Sequence, residues 1–204
     1  NKGLQDFFKE LEFNAFVTEE QVEKKVVEYR TLKSIDDLSM IENLIHESKC
    51  FAFDTETTSI DSLEAELVGV SFSFETNSGY YLPIAHQEKT AISRDEALRW
   101  LKQIIEASQD KVIGQNLKYD LQVLRNHQIN INRFHADTML MSYSINSTAS
   151  RHNLDALADY YLNIKTIKFE DVMGKGKNKL KNFSEVPIKE ATNYAAEDAD
   201  ITLQ

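Results

Sequence analysis

Two acidic residues lie in a short apolar run whose composition is typical of a buried strand. The run reads FAFDTET over residues 51–57, and side chains on a strand alternate between its two faces. Asp54 and Glu56 therefore point the same way, roughly 6–7 Å apart at their Cα atoms. Two carboxylates held this close repel each other unless a positive charge lies between them. Taken alone, the pair is better explained as a strand end that runs into solvent.

Two further carboxylates occupy positions where α/β proteins bind ligands. Asp120 follows the short apolar piece KVIGQN at the start of a predicted helix, and ligands in open α/β sheets gather at such crossings. Asp198 lies on the apolar stripe of a C-terminal helix, with Tyr194 one turn before it. Two simpler explanations stay open. The helix dipole alone favours an aspartate in a first turn, and a helix with few large apolar groups need not be buried.

The residue types near these carboxylates favour a hard divalent cation. The five histidines are scattered, and we interpret the one close histidine–carboxylate pair, His135 and Asp137, as a structural residue and a helix cap. The single cysteine, Cys50, cannot build a disulfide framework or a thiolate zinc site. Oxygen ligands alone favour Mg²⁺ or Mn²⁺. Two such ions about 4 Å apart form the known arrangement for in-line phosphoryl displacement, with Tyr194 placed to aim the attacking water.

The hydrophobic pattern predicts the elements that carry these residues. Predicted helices cover residues 4–16, 34–48, 93–108, 117–127, 137–145, 153–162 and 187–203. Predicted strands cover residues 50–56, 66–74, 79–84 and 111–116. Ser34, Ser93 and Pro187 mark helix starts. This order predicts a mixed α/β layer with an antiparallel meander at its start. In the last helix, alanines allow a close approach to the sheet, and Glu197 and Asp200 are expected in solvent.

Length and composition fit one substantial core, with room for an appendage. The chain has 204 residues, 42% hydrophobic and 27% charged. No apolar run reaches the roughly 18–20 residues of a membrane span, and no signal-peptide pattern opens the chain, so we expect a cytoplasmic protein without a membrane partner. A net charge of −10 is unusual for a nucleic-acid binder. Six lysines against two acidic residues in 165–181 indicate either a phosphate-contacting loop or an ordinary solubilising one.

Three motifs give the chain a family resemblance. They are D-x-E (Asp54, Glu56), N-x-x-Y-D (Asn116 to Asp120) and Y-x-x-x-D (Tyr194 to Asp198). In this order they resemble the motifs of the DEDD 3′–5′ exonucleases, in the subclass with a tyrosine before the last aspartate. The stretches FAFDTETTSID, GQNLKYD, GKGKNKL and YAAEDADITLQ resemble more narrowly the proofreading domain of bacterial DNA polymerase I, over residues 30–204.

The resemblance implies a fold and a catalytic site. The implied fold is RNase H-like, a mixed central sheet with antiparallel first three strands, flanked by helices. The implied site holds two divalent ions, Mg²⁺ or Mn²⁺. Asp54 would bridge both ions, and Asp120 would hold the second one largely through water. Glu56 and Asp198 would complete the shell of the first ion, with Tyr194 and Glu56 orienting the water.

The resemblance also implies a path for the last nucleotides of the substrate. The implied substrate-contacting residues are Thr55, Ile60, Gln115, Asn116, Tyr119, Arg151 and Phe169. Ile60, where the family usually has leucine, and Phe169 would pack against the terminal bases. Arg151 and the lysine-rich segment would contact phosphates.

The setting implied by the resemblance is part of a DNA polymerase. Residues 1–30 would be a helical linker and 31–204 the exonuclease domain, excised or truncated before the polymerase domain of the same parent chain. The domain would be a monomer in the bacterial cytoplasm, associated with the nucleoid, and would trim mismatched, frayed single-stranded DNA 3′ ends to nucleoside 5′-monophosphates. Two alternatives stay open: a 3′–5′ exoribonuclease of the RNase D type, and a catalytically silent structural or DNA-binding module.

Overall fold

The structure, a computed structural model, describes residues 26–148, 151–176 and 179–204. Its strands are β1 (Glu28–Thr31), β2 (Phe51–Thr57), β3 (Leu67–Ser73), β4 (Ser78–Pro83), β5 (Val112–Gly114) and β6 (Ala136–Asp137). Its α-helices within the described ranges are α1 (Ile35–Glu47), α2 (Arg94–Ser108), α3 (Leu117–Asn126), α4 (Thr138–Ile145), α5 (Leu154–Leu157), α6 (Phe169–Met173) and α7 (Ile188–Leu203). Within these ranges, none of the helices combines the length and the apolar character that a bilayer crossing requires.

The strands form one mixed sheet in the order β1-β4-β3-β2-β5-β6. β2, β3 and β4 make an antiparallel meander, and β5 and β6 extend it in parallel beyond β2. The predicted mixed sheet with an antiparallel meander is therefore confirmed. β1 adds parallel to β4 at the other edge. The sequence pattern predicts neither β1 nor β6, which are only four and two residues long.

Helix starts fall where the sequence predicts them. Ser34 and Ser93 cap α1 and α2, each in a reciprocal pair of hydrogen bonds with an acidic residue three positions on. Pro187 is the N-cap of α7. Asp137 caps α4, as predicted, by accepting from two of its amides. It also accepts from the Leu117 amide at 2.9 Å, so one buried carboxylate fixes the starts of α3 and α4.

Other stretches depart from the predicted pattern. The helix predicted over 153–162 is interrupted: α5 is followed by a π-helical turn, Ala158–Leu162. The lysine-rich segment 165–181 contains α6. The predicted helix over 4–16 lies outside the described residues, as does most of the predicted linker over 1–30, whose residues 28–30 belong to β1.

The two faces of the sheet bury different kinds of side chain. One face carries the main apolar core, in which β2 and β3 pack against α1, α2 and α3. The other face lies under α7. Small residues let α7 approach closely: a Cβ added at Gly79 would lie 2.6 Å from the main-chain oxygen of Ala196. The predicted close approach of the alanine-rich helix is confirmed.

Two acidic residues of α7 that were expected in solvent are held by the protein instead. Asp200 is buried and accepts hydrogen bonds from the Tyr29 hydroxyl at 2.9 Å and the Asn77 amide at 2.8 Å. Glu197 is half-buried and accepts from the Ile167 amide at 2.6 Å. The expectation was wrong because it considered one helix alone, whereas β1, the β3–β4 turn and the segment before α6 supply the donors.

Asp200→Ala should lower the free energy of unfolding by about 1–3 kcal/mol, because it leaves the half-buried Tyr29 hydroxyl and Asn77 main-chain amide without their acceptor. Urea unfolding followed by circular dichroism measures the change. Lys189→Ala, at an exposed position of the same helix, is the control and should change stability by less than about 0.5 kcal/mol. Equal stabilities of the two variants would contradict this account.

Candidate active site

Three carboxylates from distant parts of the chain meet on the α7 side of the sheet. Asp54 and Glu56 extend from β2 and Asp198 from α7, and one oxygen of each lies within 4.8 Å of the others. Glu56 is buried, whereas Asp54 and Asp198 are half-buried and open to solvent. Strand alternation and the stripe of α7 thus bring together three of the four predicted ligands directly.

Asp120, the fourth predicted ligand, stands beside this trio in the first turn of α3. Its buried Oδ1 accepts hydrogen bonds from the Thr55 amide at 3.2 Å and the Thr55 hydroxyl at 2.5 Å. Thr55 lies between Asp54 and Glu56, so these bonds tie Asp120 to the strand that carries both. Asp120 is outside the group of oxygens within 4.8 Å of one another, but it and Asp54 repel each other electrostatically.

The floor under Glu56 is built from β3 and β4. The β2–β3 register shifts between Glu56 and Thr57, and such irregularities re-aim side chains near active sites. Gly69 pairs with Glu56, and the Tyr81 ring fills the place of a side chain there, since an added Cβ would lie 2.1 Å from the Tyr81 hydroxyl oxygen. That hydroxyl bonds His86 Nε2 at 2.8 Å. The sequence analysis missed Gly69 and Tyr81, although a glycine inside a strand pattern signals a close approach.

Burial and repulsion from nearby acidic groups raise the pKa of all four carboxyl groups. Loss of solvation is the largest cause in each case. Repulsion from Asp198 adds to the rise for Asp54, and repulsion from Asp54 adds to it for Glu56 and Asp120. For Asp198, burial and then the charge of Glu197 raise the pKa from 3.8 to about 8.

The donor set fits the implied divalent cations. Lys168, which pairs with Asp155 at 2.8 Å, lowers the pKa of Asp198 through its charge, but burial and repulsion outweigh it and the pKa stays raised. Clustered carboxylate oxygens without histidine or cysteine suit hard cations. A divalent cation would offset the repulsion that raises the four pKa values.

Tyr194 borders the trio one turn before Asp198. Burial is the largest cause that raises the pKa of its hydroxyl, and the charges of Asp198 and Glu56 raise it further, so the group stays a hydrogen-bond donor at neutral pH. Its ring packs with Phe169 and Phe183, at centroid distances of 6.1 and 5.9 Å. Phe169 is 47% exposed, and the three rings form a half-open apolar wall beside the carboxylates.

Three predicted substrate-contacting residues present their side chains at the surface. Ile60 is 98% exposed, which is unusual for a large apolar side chain. Asn116, at the start of α3, is exposed and left-handed with φ 60°, a conformation that asparagine tolerates better than most residues. Arg151 is also exposed.

Three others have their polar groups engaged within the protein. The Thr55 hydroxyl bonds Asp120, and the Tyr119 hydroxyl bonds the Thr57 hydroxyl and the Ser59 carbonyl oxygen. The Gln115 amide donates to the carbonyl oxygen of His152 at 2.8 Å and accepts from the Thr138 hydroxyl. These bonds shape the rim of the site, and contact with nucleotides stays a prediction for these residues.

The comparisons with known proteins agree with the geometry. Residues 29–204 match a family model described as a 3′–5′ exonuclease. The chain belongs to this exonuclease family. DNA polymerase I of Pseudomonas aeruginosa is 45% identical over 165 residues, which is 78% of this chain and 18% of that polymerase. The aligned part therefore makes up less than one fifth of the length of that relative.

Solved structures at low identity support the same fold. Trypanosoma brucei RNase D aligns with a TM-score of 0.65 at 12% identity, over 88% of this chain and 64% of that one. Brucella melitensis NrnC with bound Mg²⁺ aligns with a TM-score of 0.54 at 17% identity, over 88% of this chain and 77% of that one. The exonuclease domain has an RNase H-like fold, as the resemblance implies.

Asp198→Asn should stabilise the metal-free protein at pH 8 and have little effect near pH 4. Because the pKa of Asp198 is about 8 in the folded protein against an ordinary 3.8, the folded state keeps a proton that the unfolded state releases. The stability from this proton is complete below about pH 4 and is lost as the pH rises through about 8. Melting temperatures in EDTA across this range measure the difference between the two proteins.

Added Mn²⁺ serves as the control for this experiment. At pH 8, Mn²⁺ should raise the melting temperature of the native protein more than it raises that of the Asp198→Asn variant, because the native cluster has one more carboxylate whose charge the cation offsets. If the advantage of the Asp198→Asn variant over the native protein in EDTA became smaller as the pH rises, the electrostatic account of the cluster would be contradicted.

Proposed function

We propose that this exonuclease domain hydrolyses the last phosphodiester bond of a frayed, mismatched single-stranded DNA 3′ end and releases a nucleoside 5′-monophosphate. The observation that carries the proposal is the approach of one oxygen each from Asp54, Glu56 and Asp198 to within 4.8 Å. Phosphoryl transfer depends on positioning and charge stabilisation more than on covalent chemistry by the protein, and a carboxylate cluster that is open to solvent on one side supplies both.

Two divalent cations, Mg²⁺ or Mn²⁺, are the cofactors of this proposal. Asp54 would contact both, and Asp120, held through Oδ1 by Thr55, would hold one of them largely through water. Glu56 and Asp198 would complete the shell of the other. When bound, the cations offset the repulsion of the carboxylates and supply a water of lowered pKa as the nucleophile. The bound Mg²⁺ of the Brucella NrnC structure supports this choice for the fold.

The residues of the chain would orient the attacking water. The water would lose a proton to solvent as its oxygen forms a bond to phosphorus. The bond from phosphorus to the 3′ oxygen of the preceding nucleotide would break, and that oxygen would take up a proton from solvent to become the new 3′ hydroxyl. The Tyr194 hydroxyl, kept protonated by its raised pKa, donates to Asp198 in the structure and would turn its proton to the water oxygen. Glu56, on the same side, accepts a hydrogen bond from the water.

The exposed apolar groups suit bases that are not paired. Ile60 and the half-exposed Phe169 offer contact surfaces without sequence preference. Arg151 and the lysine-rich segment would contact phosphates, although Lys168 and Lys175 of that segment are paired with acidic neighbours. The similarity to DNA polymerase I over 78% of the chain favours DNA over RNA. It also supports a polymerase domain in the same parent chain as the partner of this domain.

Asp54→Ala should reduce the release of nucleotides by about 1,000-fold or more, because it removes the ligand that both cations share. Single-stranded DNA labelled at its 5′ end and incubated with Mg²⁺ should give a ladder that shortens from the 3′ end for the native protein only. Asp110→Ala is the matched control, because this aspartate is exposed and lies before β5 rather than in the carboxylate cluster. The ladder of this variant should match that of the native protein.

The same assay separates the alternatives. A faster ladder on a matched RNA oligomer would favour an exoribonuclease of the RNase D type. If neither oligomer gives a ladder with Mg²⁺ or Mn²⁺, and calorimetry shows no Mn²⁺ binding, the proposal is overturned and the catalytically silent module is the remaining alternative.

Phe169→Ala should raise KM for single-stranded DNA about tenfold, since stacking on one base is worth about 1–3 kcal/mol. Steady-state kinetics with short oligomers measure KM, and calorimetry should show unchanged Mn²⁺ affinity. Phe134→Ala, at a similarly exposed phenylalanine that precedes β6, should leave KM unchanged. An equal effect of the two substitutions would contradict the assignment of Phe169 to the substrate path.

A further inference from the structure

Ser71 has a hydroxyl that the folded chain leaves without a partner. The side chain is fully buried in the middle of β3. Its Oγ is one of two buried side-chain polar atoms in the described residues that lack a hydrogen bond, the other being His152 Nε2. Because an unpaired buried hydroxyl is costly, a serine here needs an explanation other than packing.

The strand register places Ser71 directly opposite Asp54. The two are Cα partners in the antiparallel β2–β3 pair, so their side chains share the face under α7. Opposed residues in such a pair have Cβ atoms about 4.5–5.5 Å apart. At this separation, rotation of the serine side chain to another rotamer can bring its hydroxyl within hydrogen-bond distance of a facing carboxylate. On its other side Ser71 pairs with Tyr81, whose hydroxyl already bonds His86.

Ser73, two residues after Ser71 on the same face of β3, is a serine whose hydroxyl has a structural role. It is equally buried, and its Oγ donates to the Ser78 carbonyl oxygen at 2.8 Å. It faces Ala52 rather than a carboxylate. The two serines therefore differ in two respects: the hydroxyl of Ser73 forms a hydrogen bond within the fold and that of Ser71 does not, and only Ser71 faces a carboxylate.

We propose that Ser71 is a positioning residue, whose hydroxyl donates a hydrogen bond to the ionised Asp54 carboxylate when the site is loaded with its cations. This inference rests on the proposed function, in which Asp54 is the ligand shared by both cations. An ionised carboxylate is the stronger acceptor, and hydrogen bonds to a ligating carboxylate fix its orientation. The bond would hold one Asp54 rotamer and so align the carboxylate between its two ions.

Calorimetric titration with Mn²⁺ and thermal unfolding in EDTA test this proposal on the native protein and two matched variants. Ser71→Ala should weaken Mn²⁺ affinity about tenfold and leave the melting temperature in EDTA unchanged or higher, because no existing hydrogen bond is lost. Ser73→Ala should do the opposite, lowering the melting temperature in EDTA with Mn²⁺ affinity within about twofold of native. In the exonuclease assay, Ser71→Ala should lower kcat and leave KM for DNA unchanged.

The outcomes that overturn the proposal are distinct. If Ser71→Ala lowers the melting temperature in EDTA and leaves Mn²⁺ affinity unchanged, the serine is structural and the proposed function stands. If the native protein binds no Mn²⁺, the proposed function and this inference fall together. Ser71→Cys, which keeps the volume but is a weaker donor, repeats the test should the alanine variant not fold: affinity weakened by about threefold or more supports the proposal, and native affinity overturns it.

Discussion

Repulsion among partly buried carboxylates is the constraint on which the rest of this structure depends. Asp54, Glu56 and Asp198 bring oxygens within 4.8 Å of one another, and burial together with like charge raises their pKa values. Such a cluster opposes folding when it is ionised, so it persists only because the surrounding core is large enough to hold it together. The same repulsion is what makes the site attractive to divalent cations.

Close packing holds the elements that carry these carboxylates together. Gly69 lets the Tyr81 ring lie under Glu56, and Gly79 lets α7 lie close to the sheet. The hydrogen bonds of Asp200 join α7 to β1 and to the β3–β4 turn. These contacts fix the helix that carries Asp198 against the strand that carries its partners, and they leave the carboxylates facing solvent on one side.

The rim of the site divides its residues into two kinds. The first kind forms hydrogen bonds within the protein, through the polar groups of Thr55, Gln115 and Tyr119. These bonds help to fix the positions of β2 and α3. Ile60 and Phe169 expose apolar surface that the fold itself does not need. Under the function proposed above, the first kind would hold the carboxylates in place and the second would offer an apolar surface to the terminal bases.

The sequence alone determined the central meander, the helix caps at Ser34, Ser93 and Asp137, and the placing of Asp54 and Glu56 on one face of β2, because strand alternation, helix periodicity and capping are local properties of the chain. Tertiary structure alone decided the rest. β1 exists only by pairing with β4, and Asp200 is buried only because donors arrive from two other elements. Ser71 faces Asp54 only through the β2–β3 register. Register and helix-to-sheet distance depend on contacts between segments far apart in the chain, and no local pattern encodes them.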